Sequence, residues 1–202
     1  MKLINYALCC LVLLLSSSCA FSTSVVRLDY IPQDYGVHVQ SSSSLFIEKL
    51  RDVRGYEPNL LSYKGVQYKT SGKYITEREV ADIVTDAVRD VLKKVGYQIG
   101  GIDSDLKLMG EILKFESYAI VGFWSGDMEC TIQVNLKLVD NKSGSILWSE
   151  IISGTGTKTG LQIDHEEHRK EVSEKAIDNL MTKIAQSTAL RDAVTKGKQK
   201  PS

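Results

Sequence analysis

The sequence predicts an α+β fold: an antiparallel sheet with two helices packed on one face, a two-layer sandwich. Three observations predict it. Val80 to Val95 repeats apolar residues at three- and four-residue spacing. Asp127 to Val139 alternates apolar and polar residues. Val172 to Ile184 carries a second helical stripe.

Before the first of these elements comes a leader. Lys2 is followed by an apolar run from Leu3 to Leu15, too short to span a bilayer, which needs about 20 apolar residues. Ser16-Ser17-Ser18-Cys19 then follows, small residues leading to a cleavage point. Residues 1–18 therefore read as a lipoprotein signal peptide, with Cys19 as the lipidated new N-terminus. A lipobox usually carries Leu three positions before the cysteine; here Ser16 stands there and Leu15 lies one further back. The competing reading is an ordinary secretion signal cut near Ser18 or Ala20. Several acyl chains on one cysteine anchor stably where one does not. Ala20, rather than Asp, follows the cysteine, which points to the outer membrane, facing the periplasm.

Residues 19–24 read as the lipidated N-terminus and a short tether, and 25–190 as a single domain. Val25–Ile31 is expected to be its first strand, ended by Pro32. About five residues at roughly 3.5 Å each would hold the domain within about 20 Å of the membrane. Leu45–Asp52 is a second expected strand. Val53–Tyr74 is rich in Gly, Tyr, Lys and Ser and reads as a long excursion with a short strand near Val66–Lys69.

Thr76 and Glu79 have the spacing of a capping box ahead of the first helix. Its stripe is Val80, Ile83, Val84, Ala87, Val88, Val91, Leu92 and Val95, and Gly96 supplies the stop. Three strands follow: Asp105–Glu116, Asp127–Val139 and Ser145 to about Thr157. In the second, Met128, Cys130, Ile132, Val134, Leu136 and Leu138 face one way, so one sheet face is buried and the other wet. Asp164 with Glu167 reads as the cap of the second helix, whose stripe is Val172, Ala176, Ile177, Leu180, Met181 and Ile184. Residues 191–202 turn polar and read as a disordered tail.

In this order the chain resembles the YajG-like lipoproteins of Gram-negative bacteria. The resemblance rests on the Cys19 leader, Val26-Arg27-Leu28-Asp29-Tyr30-Ile31-Pro32, Asp52-Val53-Arg54, Leu92-Lys93-Lys94-Val95-Gly96-Tyr97 and Asp105-Leu106-Lys107-Leu108. It continues through Gly144-Ser145-Ile146-Leu147-Trp148, Gly154, Gly156 and Ala176-Ile177-Asp178-Asn179-Leu180. It implies placement and fold. The family has no settled function and offers no catalytic residues to carry over.

Composition narrows the chemistry. The 25 basic and 25 acidic residues cancel, so no basic face points to nucleic acid. Of four cysteines, Cys9 and Cys10 leave with the leader and Cys19 takes lipid. Cys130 alone remains, and it reads as a small core residue rather than a nucleophile. His165 and His168 are three apart, where a zincin helix needs four; they form at most a loose surface pair, and a solvated helix start accounts for them. In Gly154-Thr155-Gly156-Thr157-Lys158-Thr159-Gly160 the lysine precedes the last glycine, so this is no P-loop. Its glycines read as close backbone approaches in a strand. No cofactor and no enzymatic activity are expected.

The segment from Tyr118 to Gly126 joins two strands, where a turn is normally polar. Here it holds Tyr118, Ile120, Val121, Phe123 and Trp124. Exposed apolar patches mark partner or membrane contacts, and aromatics are favoured at binding hot spots. These five are the expected contact residues. The competing expectation is that the strands run further and these side chains cover the sheet. The function that follows is a non-enzymatic interaction or accessory module of the cell envelope, tied to the membrane through Cys19 and binding an envelope protein. The alternatives are a peptidoglycan-associated or synthase-accessory lipoprotein, a carrier of a small apolar ligand, and a hydrolase.

Overall fold

The computed structural model describes residues 22–64, 72–121, 126–161 and 166–196. In chain order the strands are β1 (Ser22–Val26), β2 (Ser44–Ile47), β3 (Arg51–Asp52), β4 (Leu60–Lys64) and β5 (Gly72–Thr76). Helix α1 (Val80–Lys94) and strand β6 (Gln98–Ile99) follow. Then come β7 (Leu106–Val121), β8 (Gly126–Asp140), β9 (Ile146–Leu161), α2 (Glu166–Gln186) and α3 (Thr188–Lys196).

The body is a two-layer α+β arrangement. β7, β8 and β9 form an antiparallel meander in a sheet of order β6-β2-β7-β8-β9. Strands of 15 and 16 residues at about 3.3 Å per residue make it roughly 50 Å long. The alternating residues of β8 from Met128 to Leu138 are buried against the helices, as the pattern predicts. Glu129, Thr131, Gln133, Asn135 and Lys137 lie half-buried on the other face.

The sheet is mixed rather than purely antiparallel. β2 pairs parallel with β7 and β6, and β3 pairs parallel with β7. Parallel neighbours need a crossover, and the stretch between β3 and β7 supplies one through α1.

The expected first strand belongs elsewhere. β1 pairs parallel with β5, and β5 antiparallel with β4, in a separate three-stranded sheet. The excursion after Val53 thus contains two strands; the expected Val66–Lys69 strand lies outside the described residues. The strand predicted to reach Ile31 ends at Val26, and the chain from Arg27 crosses the helices as an extended strap. Its backbone is engaged by helix groups instead of a strand. Glu174 accepts from the Asp29 amide at 3.2 Å, and the Val39 amide donates to the Val95 carbonyl at 2.6 Å. Tyr35 and Val39 of the strap are buried, and the Tyr30 and Tyr35 hydroxyls hydrogen-bond each other.

Helix α1 buries the predicted stripe. It does not use the predicted capping box. The helix starts at Val80 with Glu79 as its N-cap residue and no side-chain cap, while Thr76 ends β5, where its hydroxyl donates to the carbonyls of Asn59 and Arg78, and Glu79 pairs with Lys49 at 2.8 Å. The stop is as expected. Gly96 takes φ +105°, its amide bonds the Lys93 carbonyl, and the Tyr97 amide reaches back to Leu92, which is a Schellman ending.

Helix α2 lies over β9 at Gly154 and Gly156. A Cβ on Gly154 would sit 2.6 Å from the Leu180 nitrogen and collide with the Ala176 carbonyl. One on Gly156 would sit 2.8 Å from the Ala176 nitrogen and collide with the Val172 carbonyl. The glycine run is therefore a helix seat, not a phosphate loop. Asp164, its expected cap, lies outside the described residues. Residues 191–196, expected to belong to a disordered tail, lie instead in α3, because Leu190, Ala193 and Val194 form a short apolar stripe that docks on the core; residues 197–202 lie outside the described residues.

Candidate functional site

The expected contact segment sits at the turn end of the β7–β8 hairpin, where Val121 pairs with Gly126. Both strands run further than the sequence suggests, to Val121 and from Gly126. Their extension does not bury the side chains that can be described. Tyr118 is 40 % and Ile120 49 % exposed. Tyr118 donates its hydroxyl to Glu129 on the neighbouring strand at 2.7 Å. That bond, then desolvation, pushes the phenol up to about 12. Val121 closes the strand, paired with Gly126. Phe123 and Trp124 lie outside the described residues, as do Cys19 and His165.

His168 sits half-buried near the start of α2. Among the described residues no group of three or more His, Cys, Asp or Glu side chains is placed to hold a metal ion. Cys130 is fully buried, and desolvation pushes its thiol up to about 12. A water-soluble alkylating reagent is expected to leave it untouched in the folded protein and to modify it once urea unfolds the chain. Native-state modification at the denatured rate would refute its placement in the core.

Two buried guanidinium groups, which the sequence reading missed, brace the hairpin. Arg54, with its side chain 1 % exposed, donates from Nε and Nη2 to Asp52 at 2.9 and 2.7 Å. It also donates to the carbonyls of Leu60 at 2.8 Å and Phe115 at 3.2 Å. Burial alone would raise the Asp52 carboxyl, but the hydrogen bonds and charge of Arg54 outweigh it and hold it below its ordinary value. Arg169, 2 % exposed, donates to the Ser62 hydroxyl and the Ser117 carbonyl, each at 2.8 Å. Its guanidinium stands 4.3 Å from the Tyr74 ring centroid. Together they tie β4 and β5 to β7 and to the first turns of α2. A signal for each existed. Arg169 lies three residues before Val172, on the buried stripe, and Asp52 and Arg54 are two apart on one face of an extended chain.

Two cavities among the described residues are open troughs with charged walls. One, of about 530 Å³, is bounded by Glu150, Ser153, Lys183 and Gln186. The other, of about 270 Å³, lies between Arg27, Glu166, Glu167 and Lys170.

No family model matches the sequence. No curated protein matches it either. Solved structures do resemble the fold. Protein XCC0632 from Xanthomonas campestris, of family DUF330, superposes with a TM-score of 0.59 at 16 % identity, over 85 % of this chain and 96 % of that one. Protein CT253 from Chlamydia trachomatis superposes with a TM-score of 0.50 at 9 % identity, over 76 % and 98 %. A minor lipoprotein from Acinetobacter baumannii reaches 0.44 at 12 % identity, over 74 % and 94 %. For the first two, at these identities, the likeness is one of fold.

Proposed function

We propose that the chain is a lipid-anchored domain of the bacterial outer membrane, facing the periplasm and acting as a non-enzymatic interaction module. One observation carries the reading: the leader ahead of Cys19 is followed, within three residues of that cysteine, by the first described strand. β1 begins at Ser22, three residues on, which at roughly 3.5 Å each is a reach of about 10 Å. Among the described residues no helix is long and apolar enough to cross a membrane, so the lipid would supply the attachment. The resemblance to the YajG-like lipoproteins supports the same placement. The non-enzymatic part rests on where reactive side chains are used. Cys130 packs in the core, and Asp52, Asp86 and Glu171 are each engaged by basic partners.

Cys19→Ser is expected to abolish incorporation of labelled palmitate and to move the protein from the outer-membrane fraction to the soluble periplasm. Unlabelled wild-type protein, or a variant that stays in the membrane fraction, would refute the anchor.

A further inference from the structure

The hydrogen bonds around the two buried arginines give the domain a polarity. Arg54 joins the carbonyls of Leu60 and Phe115; Arg169 joins Ser62 to Ser117. Two residues along β4 match two residues along β7, so the strands advance in step toward the hairpin end, and Lys64 comes level with residue 119. Lys64 is in register with Gly72, and Gly72 with Ser22. The Lys64 ammonium lies 3.0 Å from the Ser22 hydroxyl. Ser22, three residues from Cys19, is thus at the same end of the domain as the Val121–Gly126 pair.

Exposure alone would not single out this end. Ile146, 61 % exposed, stands at the far end of β9, where it pairs with Val139. The chain exit does single it out. Acyl chains on Cys19 enter the bilayer, and a tether of about 10 Å keeps the Ser22 end against the surface they enter. That end exposes Tyr63 at 45 %, together with Tyr118 and Ile120. Tyrosine is favoured at membrane–water interfaces, where its apolar ring and polar tip meet two environments.

We propose that this end, with Tyr63, Tyr118 and Ile120, rests in the headgroup region of the leaflet that holds the Cys19 lipid. The protein then touches the membrane twice, through lipid and through side chains, which fixes the orientation of the sheet. This rests on the lipoprotein reading above, and it assigns Tyr118 and Ile120, two of the expected contact residues, to lipid rather than to a protein partner.

The test uses the full-length lipidated protein in vesicles of phosphatidylethanolamine and phosphatidylglycerol, with or without brominated acyl chains. Ile120→Cys and, as control, Ile146→Cys carry a nitrobenzoxadiazole label; Cys130 is buried and does not compete for it. The vesicles are expected to float with the protein, and brominated lipid to quench the Ile120 site several-fold more than the Ile146 site. Floating protein with equal, weak quenching at both sites would overturn the proposal while leaving the anchor intact. Protein that does not float overturns the anchor, and the proposal with it. A photoreactive residue at Ile120 in the native host is expected to crosslink lipid; a discrete protein adduct would make a protein the occupant and overturn the proposal.

Discussion

Gly156→Val is expected to destabilise the domain by about 3 kcal/mol, near the upper end of what overpacking ordinarily costs. The reason is where the collision falls. The Val172 carbonyl and the Ala176 amide are helix backbone, and no rotamer change moves them. Relief requires lifting α2 off β9, which would loosen Val172, Ala176, Ile177 and Leu180 from the core together. Gly154→Val meets the next turn of the same helix and should behave alike. Thr155→Val lies between them with its side chain exposed, and is expected to change stability by no more than about 0.5 kcal/mol. Urea unfolding followed by the fluorescence of Trp124 and Trp148 measures all three. Equal midpoints for Gly156→Val and Thr155→Val would refute the helix seat.

Arg54→Met is expected to be comparably severe, at about 3–5 kcal/mol, the range for removing one partner of a buried ion pair. It strands the Asp52 carboxylate and withdraws the guanidinium from the carbonyls of Pro58, Leu60 and Phe115. The loss should depend on pH in a defined direction. In the folded protein the Asp52 carboxyl is held below its ordinary value of 3.8. Between the two values the unfolded chain binds more protons, so this contribution is complete above the ordinary value and disappears as pH falls through the lower, folded one. The gap between wild type and Arg54→Met should therefore be widest near neutrality and narrow below about pH 4. Asp52→Asn in the Arg54→Met background should recover part of the loss, because it removes the stranded charge. A gap that is constant from pH 7 to pH 3, with no recovery, would mean that Arg54 acts through packing alone.

Periodicity was a reliable guide wherever one element alone determines which side is apolar. Val80 to Leu92 turns one stripe to the core because a helix repeats every 3.6 residues. The residues of β8 alternate inward and outward because a strand repeats every two. The same local logic marked Gly96 as a stop and Cys130 as a core residue. It was weaker at ends. The hairpin continues to Val121 and Gly126 because each added pair is hydrogen-bonded across strands, a reward that residues 117–121 do not signal by themselves. Thr76 shows the opposite error. Its spacing to Glu79 fits a cap, yet the helix begins only at Val80, so Thr76 ends β5 three residues ahead of the N-cap position and bonds the carbonyls of Asn59 and Arg78.

What the sequence by itself determined is the set of segments that must lose water on one side: α1, the meander and α2. It also determined that a cysteine stands a few residues before the first expected strand. What only the tertiary structure decided is which segments are neighbours. β1, β4 and β5 are short strands paired over separations of up to 50 residues, and nothing in five residues specifies a partner so distant. The parallel pairing of β2 with β7, and the two arginines that tie the small sheet to the hairpin, are likewise settled by chain crossing and burial. The contact site depends on this second kind of information. Tyr118 and Ile120 become a candidate membrane face because β4 and β1 bring Ser22 to the end where they are exposed, and that juxtaposition is made by strand register rather than by local propensity.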